Sequence, residues 1–99
     1  MEMKAMKKIE IIINSTYLSK IIEVLEKTGS TGYTVIKDIV GKGERGIMRG
    51  DEITDVFKNN YIFTICAPEI ASKIIENLKP VLKSFGGVCI MSDVSWIKY

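Results

Sequence analysis

An α+β domain, four strands in one antiparallel sheet with two helices on one face, is predicted by three observations in this 99-residue chain. Runs rich in β-branched and aromatic residues recur four times. Two stretches with apolar residues at i, i+3, i+4 and i+7 fall between the first and second runs and between the third and fourth. One span, residues 41–58, has no period at all and reads as a long loop. The order is βαββαβ within a single domain, residues 1–99.

The elements follow in order. Lys8 to Ile13 alternates Ile9, Ile11 and Ile13 with Glu10 and Ile12, the period of a strand. Asn14-Ser15-Thr16 are cap-type residues, and Leu18, Ile21, Ile22 and Leu25 then form the apolar stripe of a helix, with Lys20, Glu23, Glu26 and Lys27 on the other side. Gly29-Ser30-Thr31-Gly32 stops that helix, and Tyr33 to Val40 is the second strand. Four of the chain's eight glycines (Gly41, Gly43, Gly46, Gly50) crowd into the loop that follows, which can hold a short helical turn at Asp51–Phe57. Asn59-Asn60 reads as a turn and Tyr61 to Cys66 as the third strand. Pro68 and Glu69 open a second helix carrying Ile70, Ala71, Ile74, Ile75, Leu78, Val81 and Leu82. Pro80 should disturb it by removing the bond to Glu76. Gly86-Gly87 end it, Val88 to Val94 is the fourth strand, and Ser95 to Tyr99 is a short tail.

Two helices cover only one face of a four-stranded sheet, so the natural assembly is a ferredoxin-like sandwich with a long loop between strands 2 and 3. Setting Ile11, Ile13, Val35, Phe63, Ile65, Val88 and Ile90 toward the helices leaves Ile12, Ile36, Ile62 and Met91 on the other face. A half-solvated sheet would carry charges there. An apolar second face implies cover by other copies, which also suits a chain of this size, whose core buries only about 60–65% of its surface.

Composition narrows the function. With 46% apolar and 26% charged residues the chain is an ordinary globular one, and a net charge of +2 gives no nucleic-acid footprint. There is no histidine, which removes most zinc sites, His-based triads and the commonest general base. No metal site is expected. Cys66 and Cys89 lie inside apolar runs and read as buried reduced thiols. Met1-Glu2-Met3-Lys4 lacks a signal-peptide core, and no apolar run exceeds four residues, so a cytoplasmic protein is expected.

Chemistry concentrates in the loop. Gly41-Lys42-Gly43-Glu44-Arg45-Gly46 formally matches G-x-G-x-x-G, but no helix opens there and no further βαβ unit exists, so a dinucleotide fold is excluded. Glycines that let backbone N–H groups turn toward an anion, beside Lys42, Arg45 and Arg49, suit a phosphate. A solvated loop fits the composition equally, and its length in so compact a domain favours a functional segment.

The run Thr28-Gly29-x-x-Gly32-Tyr33-Thr34-Val35, then Gly41-Lys42-Gly43-x-Arg45, then Arg49-Gly50-x-Glu52, resembles the PII signalling family, and within it the PII-like regulators of bicarbonate transporters. The resemblance covers nearly the whole chain. It implies a ferredoxin-like homotrimer that binds adenine nucleotides in clefts between subunits and regulates a partner, a membrane transporter above all, through the loop of about 41–58, the family's T-loop. By position it implies that Gly41, Lys42, Gly43 and Arg45 form the loop base beside the nucleotide. Thr34 and Val35 then line the cleft, Gly86 and Gly87 form a second phosphate-facing turn, and Arg49, Gly50, Asp51 and Glu52 meet the partner. A cytoplasmic regulator recruited to the membrane by its transporter follows.

The departures have consequences. Arg45 stands where PII proteins proper carry a glutamine that helps hold magnesium and 2-oxoglutarate, so the resemblance does not extend to 2-oxoglutarate. Ile53 falls where some carry the uridylylated tyrosine, which excludes that modification. Lys83-Ser84-Phe85-Gly86-Gly87 is a shortened form of the segment that wraps triphosphates. The nucleotide therefore stays open among AMP, ADP, ATP and a cyclic nucleotide, and so does the part of magnesium.

Three rival readings stand beside this one. An enzyme would need Asp38, Asp51, Glu52 or Asp93 paired with lysine or tyrosine, and no spacing fixes such a constellation. RNA binding needs a basic Gly-aromatic pattern that Tyr61-Ile62-Phe63-Thr64 lacks, so no nucleic-acid partner is expected. Trp96 and Tyr99 suit anchoring the tail on a neighbouring subunit better than stacking on a base. A trimeric adaptor that binds a protein through its loop and takes no nucleotide is the closest rival.

Overall fold

The computed structural model describes residues 2–41 and 58–99. The strands are β1 (Glu2–Asn14), β2 (Thr34–Ile39), β3 (Asn59–Cys66) and β4 (Val88–Lys98), and the helices α1 (Leu18–Lys27) and α2 (Pro68–Phe85). The sheet order is β2-β3-β1-β4, with every neighbouring pair antiparallel. This is the α+β ferredoxin-like sandwich the element order predicts.

Ile9, Ile11 and Ile13 of β1 and Ile62 of β3 meet Ile21, Val24 and Leu25 of α1 and Ala71, Ile74 and Leu78 of α2 in one core. Apart from Val24 and Ala71 these are isoleucine and leucine side chains at 0–1% exposure, and cutting one back to alanine in such packing costs about 2–5 kcal/mol. A 3-10 turn, Ser15–Tyr17, leads into α1, with the Asn14 carboxamide accepting from the Thr16 N–H. Tyr17 stacks on Phe85 with ring centroids 4.3 Å apart, tying the start of α1 to the end of α2.

Several boundaries and two facings differ from expectation. Ser95–Lys98 is strand, not tail, because β4 continues beside β1 in unbroken register to Glu2 opposite Lys98, which also starts β1 six residues early. Asn59 and Asn60 pair with Asn14 and Ile13 and are strand, not a turn. Pro80 sits on the exposed side of α2 and the helix runs through it, held by the buried Leu78 on its inner side.

The facing of β3 and β4 is the reverse of the sequence reading. Ile62 lies in register with Ile11 and Val35 and is buried, so Phe63 and Ile65 point to the other face. Cys89 is opposite Ile11 and Met91 opposite Ile9 on the helix side, which sends Val88 and Ile90 outward. The cause in β3 is its polar residues: Asn60 and Thr64 share the inward parity of Ile62 because loop groups satisfy them there. Even so, the face away from the helices carries exposed apolar side chains around the charged pair Lys8 and Glu10. Ile12 is 36% exposed, Ile36 50%, Val88 51% and Ile90 54%.

Candidate functional site

The root of the long loop is held by polar groups of four residues, Ser15, Asp38, Lys58 and Asn60. Between Ile36 opposite Tyr61 and Ile39 opposite Asn59, β2 advances three residues while β3 advances two, a bulge that puts Asp38 at φ 56° and takes its N–H off the ladder. The side-chain oxygen of the buried Asn60 accepts that N–H at 3.2 Å. On the other stem, the Ser15 N–H and hydroxyl both donate to the Lys58 carbonyl at 2.9 Å, and the same hydroxyl reaches the Asn60 oxygen at 3.5 Å. The Lys58 end of the span therefore hangs on the β1–α1 junction and the Asp38 end on Asn60 of β3. Neither Ser15 nor Asn60 was singled out from the sequence as a site residue; the signal that could have found Asn60 is a carboxamide at the entrance of an otherwise apolar strand.

A second turn faces the same end of the sheet. The Gly86 N–H caps α2 on the Leu82 carbonyl at 2.8 Å, and Gly86 itself takes φ 83° and ψ −173°, a conformation essentially confined to glycine. Gly87 has φ 119°, and a Cβ on it would stand 2.9 Å from the Ile12 carbonyl oxygen. Both glycines thus have backbone reasons to be glycine.

The Thr28-Gly29-x-x-Gly32 run also has a structural reading. The Thr28 hydroxyl donates to the Val24 carbonyl at 2.7 Å, and Gly29 turns the chain at φ 91°. The buried Thr64 hydroxyl donates to the Gly32 carbonyl at 2.6 Å, with the Ser30 hydroxyl 2.9 Å from it. This fixes where β2 starts.

Of the expected site residues, Gly41 leaves the end of β2 exposed, at the same end of the sheet as Gly86 and Gly87 but on the opposite edge, roughly 14 Å away across three strand spacings. Thr34 and Val35 lie further along β2, opposite Phe63 and Ile62. Val35 packs on the core, and only Thr34 faces the open side of the sheet. Lys42, Gly43, Arg45, Arg49, Gly50, Asp51 and Glu52, and the helical turn expected at residues 51–57, lie outside the described residues.

On the open face of the central strands, the Tyr61 hydroxyl donates to Glu10 Oε1 at 2.7 Å and Lys8 Nζ sits 4.9 Å over the Phe63 ring. The bond to Glu10, with some burial, raises the Tyr61 hydroxyl above 10.0. Tyr33 is raised likewise by its bond to Glu26. Burial alone raises the thiols of Cys66 and Cys89, which are free. Among the described residues no group of three or more Cys, Asp or Glu stands together as a metal site, and no helix is long and apolar enough to cross a membrane.

The chain is thus a βαββαβ sandwich with a long connection between its second and third strands and a glycine pair before its fourth. The family model for nitrogen regulatory protein P-II matches residues 6–99, and the chain belongs to that family. No curated protein matches it by sequence. Among solved structures it is similar to CPII, a nitrogen regulatory PII-like protein from Thiomonas intermedia K12 bound to ADP, AMP and bicarbonate, with a TM-score of 0.83, 21% identity and 99% of each chain covered. A putative PII-like signaling protein from Thermus thermophilus gives 0.77 at 23% identity over 98% of this chain and 94% of that one. The GlnK–ATP complex of B. subtilis gives 0.66 at 21%, over 91% and 82%.

Proposed function

We propose that this chain is a trimeric PII-like regulator, not an enzyme, that binds an adenine nucleotide where two copies meet and signals through residues 41–58 to a partner protein, a membrane transporter above all. The observation that carries the reading is the placement of Gly41 and the Gly86–Gly87 turn at one end of the sheet on opposite edges. Edges that lie apart in one copy come together when the edge of one copy meets its neighbour, and the apolar open face supplies the surface to bring copies together. CPII bound to ADP and AMP and the GlnK–ATP complex support adenine nucleotides as the ligand class.

In this reading Lys42 and Arg45 hold phosphate at the loop base, beside stems that Ser15 and Asn60 keep in place. The nucleotide favours one conformation of the loop and the partner another. The ratio of the nucleotide's affinities for the two sets the coupling. Thr34 lines the cleft in this scheme, while Val35 supports the strand behind it. Arg49, Gly50, Asp51 and Glu52 form the partner-facing part.

The test is a thermal-shift titration with AMP, ADP, ATP, cyclic AMP and cyclic di-AMP, with and without magnesium. A ligand at about 100 times its Kd stabilises by roughly 2.7 kcal/mol. Arg45→Ala should abolish the shift and leave the assembly intact. No shift with any nucleotide would leave the trimeric adaptor as the better reading, and loss of the assembly in Arg45→Ala would show that this residue packs instead of binding.

A further inference from the structure

Between β1 and α1 the chain makes one 3-10 turn, Ser15–Tyr17, which the Asn14 carboxamide opens by accepting the Thr16 N–H. With about three residues per turn, Ser15 and Tyr17 leave it in different directions. Ser15 reaches the root of the long connection, where it donates to the Lys58 carbonyl and to the Asn60 oxygen that also holds the Asp38 N–H. Tyr17 goes the other way, and its ring lies on that of Phe85, 19° from parallel.

Phe85 is the last residue of α2, directly before Gly86 and Gly87. It is 39% exposed, so burial in the core is not what fixes its ring. The junction fixes it: Tyr17 stacks on the ring, and Lys20 Nζ, in the first turn of α1, lies 5.4 Å from its centroid. Gly87 rests on the same segment, since a Cβ built on it would stand 2.9 Å from the Ile12 carbonyl oxygen and 3.5 Å from Ile13 Cγ1. The chain from Ile12 to Lys20 therefore meets the loop root on one side and the glycine turn on the other.

We infer that this junction is a strut that couples the loop root to the Gly86–Gly87 turn within one copy, with Ser15 as its foot and the Tyr17–Phe85 stack as its joint. Asp38 and Gly86 belong to opposite edges of the sheet. Coupling over such a span is carried by contiguous stacked rings and hydrogen bonds, and the strut supplies both. Whatever orders one stem of the connection then orders the turn on the far edge of the same copy. The link is a property of the folded chain and stands apart from any nucleotide and from association of copies.

Native-state hydrogen exchange over a urea series tests it in the unmodified protein. The amides of Ser15, Asp38 and Gly86 are each hydrogen-bonded, and they should open as one unit, with one urea dependence, at a lower free energy than the amides of Ile9 and Ile11. Separate openings, or exchange only together with Ile9 and Ile11, would overturn the strut even if every variant failed to fold. Phe85→Leu should speed exchange at Asp38 by about threefold or more, and Ser15→Ala should do the same at Gly86, because members of one network are not independent. Thr28→Ala removes a comparable hydroxyl bond, to the Val24 carbonyl, at the far end of α1, and should leave both amides unchanged. A folded Phe85→Leu or Ser15→Ala protein with parental exchange at the far amide would show that the contacts act only locally. Equal acceleration by Thr28→Ala would show that general loss of stability, and no strut, moves these amides.

Discussion

Gly87→Ala tests the packing beneath the glycine pair. An added Cβ would stand 2.9 Å from the Ile12 carbonyl oxygen and 3.3 Å from Leu82 Cδ2. The leucine can turn aside. The carbonyl cannot, because Ile12 is held in the ladder between Tyr61 and Val88. Overpacking of this kind costs about 1–3 kcal/mol, and a side chain at φ 119° adds strain of about 1–3 kcal/mol. The sum, about 2–6 kcal/mol, is a large part of the roughly 5–15 kcal/mol typical of a whole domain. At about 4–8 °C per kcal/mol for a chain of this size, Tm should fall by about 10 °C or more at fixed protein concentration. Gly86→Ala meets open space but keeps the strain of φ 83°, so it should cost about 1–3 kcal/mol. Gly32→Ala meets nothing within 4 Å and no positive φ is recorded there, so it should stay within about 0.5 kcal/mol or stabilise slightly. Circular-dichroism melting of the three variants gives the ranking. A Gly87→Ala protein that melts with the parent would refute the close approach, and if it also lost nucleotide binding, the glycine would belong to the ligand instead.

Other expectations concern the loop root, a tyrosine and the thiols. Asn60→Leu keeps the heavy-atom count and branching but leaves the Asp38 N–H without its acceptor, a loss of about 1–3 kcal/mol, and hydrogen exchange at Asp38 should speed up well before that of the β1 core. The Tyr61 hydroxyl should titrate above 10.0 by ultraviolet absorbance, and Glu10→Gln should bring it back toward that value. Because the folded value is the raised one, this bond stabilises fully below pH 10.0 and is lost as pH climbs through the folded value; stability that rose there would contradict the geometry. Native protein should react slowly with a thiol reagent at neutral pH, Cys66 more slowly than the half-buried Cys89, since burial raises both thiols. Fast reaction of Cys66 would mean that β3 opens.

Most of the fold was legible because β1, α1 and α2 carry clean periods. Ile9, Ile11 and Ile13 all face the core, and the i, i+3, i+4 stripes predict Ile21, Leu25, Ala71, Ile74 and Leu78 inside. β3 and β4 were not legible in the same way. Tyr61-Ile62-Phe63-Thr64-Ile65-Cys66 is apolar at both parities, so alternation carries no information about facing. Register had to be settled by long-range hydrogen bonds, from Thr64 to Gly32 and from Asp38 to Asn60, which no local pattern encodes. The expectation of apolar side chains on the far face survived the reversal because both parities of β3 are apolar, although Lys8 and Glu10 stand among them. The tail became strand for a related reason: only its partner, Glu2–Met6, makes Ser95–Lys98 extended.

The candidate site shows the same division between local and assembled information. Glycines mark where the chain must turn, and Gly29, Gly86 and Gly87 do turn with positive φ. Yet a glycine explained by its own backbone is weak evidence for a ligand. Gly87 is required by the Ile12 carbonyl whether or not a phosphate ever approaches it. Gly41 differs, because among the described residues nothing lies within 4 Å of a Cβ built there, and its φ is not positive. Packing against the described residues therefore gives no reason for Gly41 to be glycine. Of the glycines proposed for the cleft and described, it is the one whose replacement by alanine separates the two readings: a sensor should lose nucleotide affinity with its melting temperature unchanged, whereas an adaptor should change in neither respect.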